Sequence, residues 1–357
     1  MPASLDINSY MNLTSDELDQ RILRAKEMLG SELLILGHHY MREEVIKFAD
    51  FRGDSFRLSQ QAAESNAKYI VFGGVFFMAE TADILTSEGQ TVIIPDLLAG
   101  CAMADMAETV SVNECWDTLQ KDYPDEIIPI IYINSSAELK AFCGKNGGTV
   151  CTSSSAVRAL RWAFEQGKRV LFFPDEHLGR NTGVKLGLSE ESMAVWDRNK
   201  KTLTGNYKNP RLFLWNGFCP IHLKFTEKHI DEVRNKYPGI KVIVHPECSN
   251  HLVKLADDNG STEYIAKVIA ESPIGSQWAV GTEINMVQRL TEHYPDRFII
   301  PLSDTVKPCM DMFKIGRENL LWCLENLLEG NIVNQVRLAS QTAAEAKLAL
   351  DRMLSIK

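Results

Sequence analysis

Three segments of this sequence place a cysteine behind an apolar run and a turn: "TVIIPDLLAGC" ends at Cys101, "PRLFLWNGFC" at Cys219 and "RFIIPLSDTVKPC" at Cys309. Taken alone, "LWNGFCPIH" leaves Cys219 open between a small buried hydrophobe, a nucleophile and a metal ligand. Three further apolar runs end in groups that move protons or make hydrogen bonds. "ELLILGHHY" ends at His38 and Tyr40, "IIPIIYINSS" at Tyr132 and Asn134, and "IKVIVHPEC" at His245 and Glu247. Imidazole, phenol and carboxylate together suit general acid–base chemistry. Three thiolates without a fourth suit an iron–sulfur cluster with one open iron, which can act as a Lewis acid.

The elements that position these groups recur. Each β-branched run reads as a buried parallel strand with function at its C-terminal end. A Ser/Thr-led helix follows each: "GDSFRLSQQAAES" with Ser55, "CTSSSAVRALRWAFEQG" with Ser153, and "GSTEYIAKVIAES" with Ser261 and Thr262. A second strand comes next, then the run that ends at a cysteine. His38 to Cys101 is 63 residues and His245 to Cys309 is 64, whereas Tyr132 to Cys219 is 87. The excess coincides with a polar stretch, about 182–210, that reads as a surface insertion. Three such units predict an α/β protein of three small, pseudo-threefold-related domains, each a short parallel sheet flanked by helices. Ligand sites in such sheets lie at the C-terminal strand ends. On a common axis the cysteines would form one three-thiolate site, and the helix N-termini would favour an anionic substrate. His38, Tyr40, Tyr132, Asn134, His222, His245 and Glu247 would line the same cavity.

The rest of the chain sets bounds. Its 357 residues carry a net charge of −9 and no basic stripe, which argues against a nucleic-acid surface. No apolar run is long enough to cross a bilayer. The first 30 residues read as an amphipathic helix capped at Thr14 or Ser15 and closed by Gly30, not as a secretory signal, so a cytoplasmic protein is expected. None of the eight cysteines forms a CxxC pair, and a reducing cytosol disfavours disulfides. Cys115, Cys143, Cys151 and Cys323 read as structural; Cys248 is a candidate fourth ligand, but at a strand end unlike the others.

In order along the chain, "LGHHY", "RGDS", "GCAMADM", "YINSSAE", "CTSSSAV", "FPDEHLGRN", "WNGFCPIH", "HPEC", "NGST", "GTEINM" and "KPCMDM" resemble the quinolinate synthase family. The resemblance implies a transferase of NAD biosynthesis that condenses iminoaspartate with dihydroxyacetone phosphate to quinolinate, with loss of phosphate and water. It implies a [4Fe-4S] cluster held by Cys101, Cys219 and Cys309. It also implies substrate-binding roles for His38, Tyr40, Ser55, Tyr132, Asn134, Ser153, His222, His245, Glu247 and Thr262. Among these, Glu247 is expected to be the general base, with Tyr40, His38 and His245 also catalytic. Domains are expected at 1–107, 108–222 and 223–309, with helices of 310–357 packing back on the first. A monomer or homodimer functionally coupled to L-aspartate oxidase is expected. Two other readings compete: a zinc hydrolase using His38, His39, His222 and His245, and a non-catalytic protein that binds a small phosphorylated ligand.

Overall fold

The computed structural model describes residues 4–356 and shows an α/β protein with three sheets. The first contains the parallel strands β1 (Leu33–His38), β2 (Phe51–Gly53), β3 (Tyr69–Gly73) and β4 (Thr91–Ile93), in the order β2-β1-β3-β4. The short strand Gln335–Val336 joins β4 antiparallel. The second sheet holds β5 (Ile127–Tyr132), β6 (Thr149–Cys151), β7 (Arg169–Phe173), β8 (Met193–Asp197), β9 (Thr202–Thr204) and β10 (Leu212–Trp215), in the order β6-β5-β7-β10-β8-β9. The third holds β11 (Lys241–Val244), β12 (Asp258–Asn259), β13 (Gln277–Gly281) and β14 (Phe298–Pro301), in the order β12-β11-β13-β14.

The repeat seen in the sequence is therefore a repeat of topology. In each sheet the first strand lies between the second and third, and the strand that precedes the cysteine loop (β4, β10 or β14) lies beside the third. All six residues of β1 and of β5 are buried, as expected of parallel strands covered on both faces. The amphipathic helices Ser55–Glu64, Ala156–Glu165 and Thr262–Glu271 connect the second strand of each set to the third.

The segment 182–210 differs from the expectation of a surface insertion. Residues up to Lys185 complete the helix Glu176–Lys185; the rest adds β8, parallel to β10, and β9, antiparallel to β8. Met193, Ala194 and Trp196 are buried, so the apolar run "MAVW" extends the sheet. The charged hairpin tip is exposed, and its Lys201 takes the left-handed φ of 54°.

By its internal contacts the chain divides into two compact units. One runs to Cys101 and resumes from Pro308 to Ala339; the other runs from Ala102 to Lys307 and includes the stretch from Ser340. The second and third sheets share this second unit. The helix Arg317–Leu328 belongs to the first unit, whereas the last helix, Ser340–Ser355, packs on Ala137–Lys145 in the second. Gly144 allows that approach, because a Cβ there would fall 2.0 Å from the Glu345 carbonyl oxygen. At the N-terminus, Thr14 and Glu17 form a capping box on Ser15–Leu29, and Gly30 closes the helix at φ 51°. Among the described residues no helix is long and apolar enough to cross a membrane.

Candidate active site

In the second unit, the strand ends bring four of the expected residues into one buried network. Glu247, 3% exposed, accepts a hydrogen bond on Oε1 from the Tyr132 hydroxyl at 2.5 Å. Its Oε2 lies 2.7 Å from His222 Nδ1, and the other ring nitrogen, Nε2, lies 3.1 Å from Thr282 Oγ1. His245 stacks on His222 with ring centroids 4.5 Å apart. The Glu247 backbone N–H donates to His245 Nδ1 at 3.3 Å, which leaves the proton of a neutral ring on Nε2.

Local sequence explains the placement. The His245 N–H bonds to the Gly281 carbonyl and continues the β11–β13 ladder for one residue. Pro246 then withholds a donor, and the Cys248 N–H closes a turn onto the His245 carbonyl. Glu247 is thus a turn residue at the end of a parallel strand. Tyr132 is the last residue of β5, and the Ser135 hydroxyl donates to its carbonyl at 2.9 Å. Asn134, half-buried, lies in the same strand-end loop.

Electrostatics assign charge states. Burial drives His245 down to about 3, so its imidazole is neutral at pH 7. Burial opposes ionisation of Glu247, yet the two imidazoles and the bonds from His222 and Tyr132 outweigh it and hold the carboxyl well below the usual carboxylate range. With His245 neutral, the bonds from Tyr132 and His222 are the stabilisation that persists, and His222 Nδ1–H donates to an ionised carboxylate. Asp175, fully buried, goes the other way: burial, then the charge of Glu247, push its carboxyl well up. Its Oδ1 caps the helix Glu176–Lys185 by accepting from the Leu178 N–H at 2.6 Å.

Cys219 lies three residues before His222. Gly217 lets this loop press against Pro174, whose carbonyl oxygen would sit 2.3 Å from a Cβ at that position, and the Glu176 N–H bonds to the Gly217 carbonyl. Cys219, His222 and Glu247 each present a ligand atom within 4.8 Å of the others.

The hydroxyl positions are more varied than expected. Ser261 caps the helix that Thr262 begins, and both are buried. Ser153 does not lead its helix. It is half-buried in the preceding loop, where Thr152 bonds with Ser154 and Ser155, and Ser155 takes the cap position.

In the first unit, β1 ends at His38. The Tyr40 N–H donates to His38 Nδ1 at 3.2 Å, and the two rings meet edge to face at 4.9 Å. This is the backbone pattern of His245 and Glu247 repeated. Ser55 is the first residue of its helix, with Asp54 as the cap. Cys101 and Cys309 sit on two loops tied together by Lys314, whose ammonium donates to the Leu98 carbonyl and to Asp311.

Exposure divides the eight cysteines. Cys101, Cys219 and Cys309 are half-buried; the other five are buried, and burial pushes the thiols of each of those five up. Cys248 packs among Val242, Leu252, Ala279 and Leu302, so it is a core thiol and not a fourth ligand. The half-buried trio is the set whose sulfurs remain accessible.

Thr282, Asp175 and Asn181 escaped assignment although the motifs "GTEINM" and "FPDEHLGRN" contain them. Thr282 follows the last residue of β13, so the strand-end rule applied to the strand after each Ser/Thr-led helix would have found it.

Buried ionised and neutral proton carriers at parallel-strand ends, beside an accessible thiol, define an α/β enzyme site. Comparison with known proteins then gives the family: the profile of the quinolinate synthetase A protein matches residues 20–355, and the chain belongs to that family. It is 50% identical over 350 residues to the quinolinate synthase of Anoxybacillus flavithermus, covering 97% of this chain and 95% of that one. The quinolinate synthase of Bacillus subtilis is likewise 50% identical, over 98% of this chain and 95% of its own. That of Streptomyces coelicolor is 50% identical over 95% and 88%.

Proposed function

We propose that this chain condenses iminoaspartate with dihydroxyacetone phosphate to quinolinate, releasing phosphate and water, as a step of NAD biosynthesis. The observation that carries this is the buried, ionised Glu247 clamped between Tyr132 and His222 next to Cys219. A carboxylate that is already ionised at neutral pH and aimed by two hydrogen bonds is available to accept a proton. Glu247 is the base; Tyr132 and His222 orient it, and Thr282 fixes the His222 ring. His38 and Tyr40 handle protons on the triose. Asn134, Ser55, Ser153 and Thr262 supply hydrogen bonds and helix-start N–H groups for the substrate carboxylates and phosphate.

Cys101, Cys219 and Cys309 are the residues that would hold a [4Fe-4S] cluster, and their partial exposure is compatible with that role. Such a cluster would supply Lewis-acid assistance to loss of hydroxide. The zinc reading gains one observation, the close approach of Cys219, His222 and Glu247. Against it, both His222 ring nitrogens are engaged, by Glu247 and Thr282.

An anaerobic assay decides. Brown protein containing about four irons per chain should form quinolinate from the two substrates, with iron and sulfide measured on the same sample. Colourless, zinc-containing protein with full activity would overturn this reading.

A further inference from the structure

The helix Glu176–Lys185 carries a side chain that addresses the backbone on both sides of Glu247. Asn181, 7% exposed, donates from Nδ2 to the Pro246 carbonyl at 2.8 Å and to the Cys248 carbonyl at 2.8 Å. One amide group thus spends both protons on the peptide groups that flank the base. The arrangement also fixes which way round the amide lies: two carbonyls require the nitrogen on their side, and Asn181 Oδ1 accepts from Asn250 Nδ2 at 2.7 Å on the other.

We propose that Asn181 is a positioning residue for the reaction, clamping the Pro246–Cys248 turn so that the Glu247 carboxylate stays aimed at its target. Turns that end strands owe their geometry to whatever satisfies their carbonyls. In this turn the backbone N–H groups of His245, Glu247 and Cys248 have partners within the third sheet and its own loop. The Pro246 and Cys248 carbonyls are instead tied to a helix from the second sheet's part of the chain. Without that tie, the turn would be held from one side only, and a misplacement of a fraction of an ångström is costly for a base. Asp175 supports the same function from the other end, since its cap on Leu178 anchors the helix start. Asn181 touches neither Tyr132 nor His222 through any of these bonds, so its influence runs through the backbone.

The inference rests on Glu247 being the base, and the test separates the two. Asn181→Ala, Glu247→Gln and the double variant are compared as cluster-loaded enzymes, at temperatures below every melting point. Asn181→Ala should lower kcat about 10- to 100-fold with KM for both substrates within about threefold and iron content unchanged. In the Glu247→Gln background, the same change should cost almost nothing further, because there is no base left to aim. If Glu247→Gln is as active as wild type, the base assignment fails. If Glu247→Gln is impaired while Asn181→Ala turns over within about threefold of wild type, the clamp is wrong and the base stands. An equal further loss in the double variant also overturns the clamp, since a general structural role acts in any background. Should Asn181→Ala not fold, Asn181→Asp keeps the shape but, ionised, has no proton to give the Pro246 and Cys248 carbonyls: a kcat reduced about threefold or more at unchanged KM supports the clamp, and an unchanged kcat refutes it.

Discussion

The Tyr132 hydroxyl and the Glu247 carboxylate meet at 2.5 Å across 115 residues of sequence, one at the end of β5 and the other just past β11. The bond joins the first strands of two topological repeats. It is also charge-assisted, which makes it short and makes Tyr132 part of what keeps Glu247 ionised while buried.

Tyr132→Phe tests that contribution. Removing a donor to the charged form raises the carboxyl pKa, so the acid limb of the kcat profile should move to higher pH. Turnover at neutral pH should fall about 10-fold, with the cluster intact. A profile superimposable on wild type would show that His222 alone sustains the ionised state.

Glu247→Gln keeps the shape and removes the proton acceptor. The variant should bind substrate and retain its cluster, yet lose at least about 100-fold in turnover, the ordinary scale of a general base. A rate within a few-fold of wild type would move the role to His245 or Tyr40.

His245 couples stability to pH. Its ordinary value is 6.5 and burial lowers it to about 3 in the folded protein. Between those values the unfolded chain binds a proton that the native state does not, so stability falls as pH drops below 6.5. His245→Asn retains an acceptor for the Glu247 N–H and removes the titration. Urea unfolding at pH 5 and pH 6.5 should therefore show a difference about 2 kcal/mol smaller at most in the variant than in wild type. Asp175 is raised and acts with the opposite sign, but it is present in both proteins and cancels in the comparison. Equal pH dependence would mean that His245 is protonated in the native state.

Much of this architecture is legible locally, and the rest is not for stated reasons. Buried strands such as "LLILGH" announce themselves by composition, and the strand-to-cysteine spacings expose the repeat because each repeat is closed within one stretch of chain. Groups that act across repeats carry no such signal. Asn181 reads as an ordinary helix residue until the turn at Pro246 is brought beside it. Thr282 takes its meaning from His222, 60 residues away. The segment 182–210 misleads because charge at the hairpin tip masks the apolar "MAVW" run, and Ser153 because the hydroxyl run extends past it and the helix begins only at Ala156. The partner of the last helix is not legible either, since its amphipathic face fits any apolar surface, and the bare Gly144 that admits it is a single residue.

Gly144→Ala should show that selection directly. The added methyl would collide with backbone and not with a flexible side chain, so the last helix must shift. Overpacking of this kind costs about 1–3 kcal/mol, read as a lower urea midpoint. Lys145→Ala, which removes only an exposed ion pair with Glu345, should change stability by less than about 0.5 kcal/mol. Equal effects from the two would mean that the helix is held by charge and not by close contact.

The cysteines give the last test, and burial sharpens it. Serine at Cys101, Cys219 or Cys309 should each prevent assembly of an intact cluster and abolish activity, because a half-exposed thiolate is lost and no neighbouring thiol can replace it. Cys248 is the nearest substitute in sequence to Cys219, but it is fully buried with its thiol pushed well up, so it should not rescue. Alanine at Cys115, Cys143, Cys151 or Cys323 should leave iron and turnover in place and lower stability modestly, as for loss of a small core side chain. Exposure to air should bleach wild type and inactivate it in parallel, since an iron without a fourth thiolate is open to oxidation. Activity that survived complete bleaching would make the cluster structural, and a Cys219→Ser protein that kept four irons would remove that residue from the ligand set.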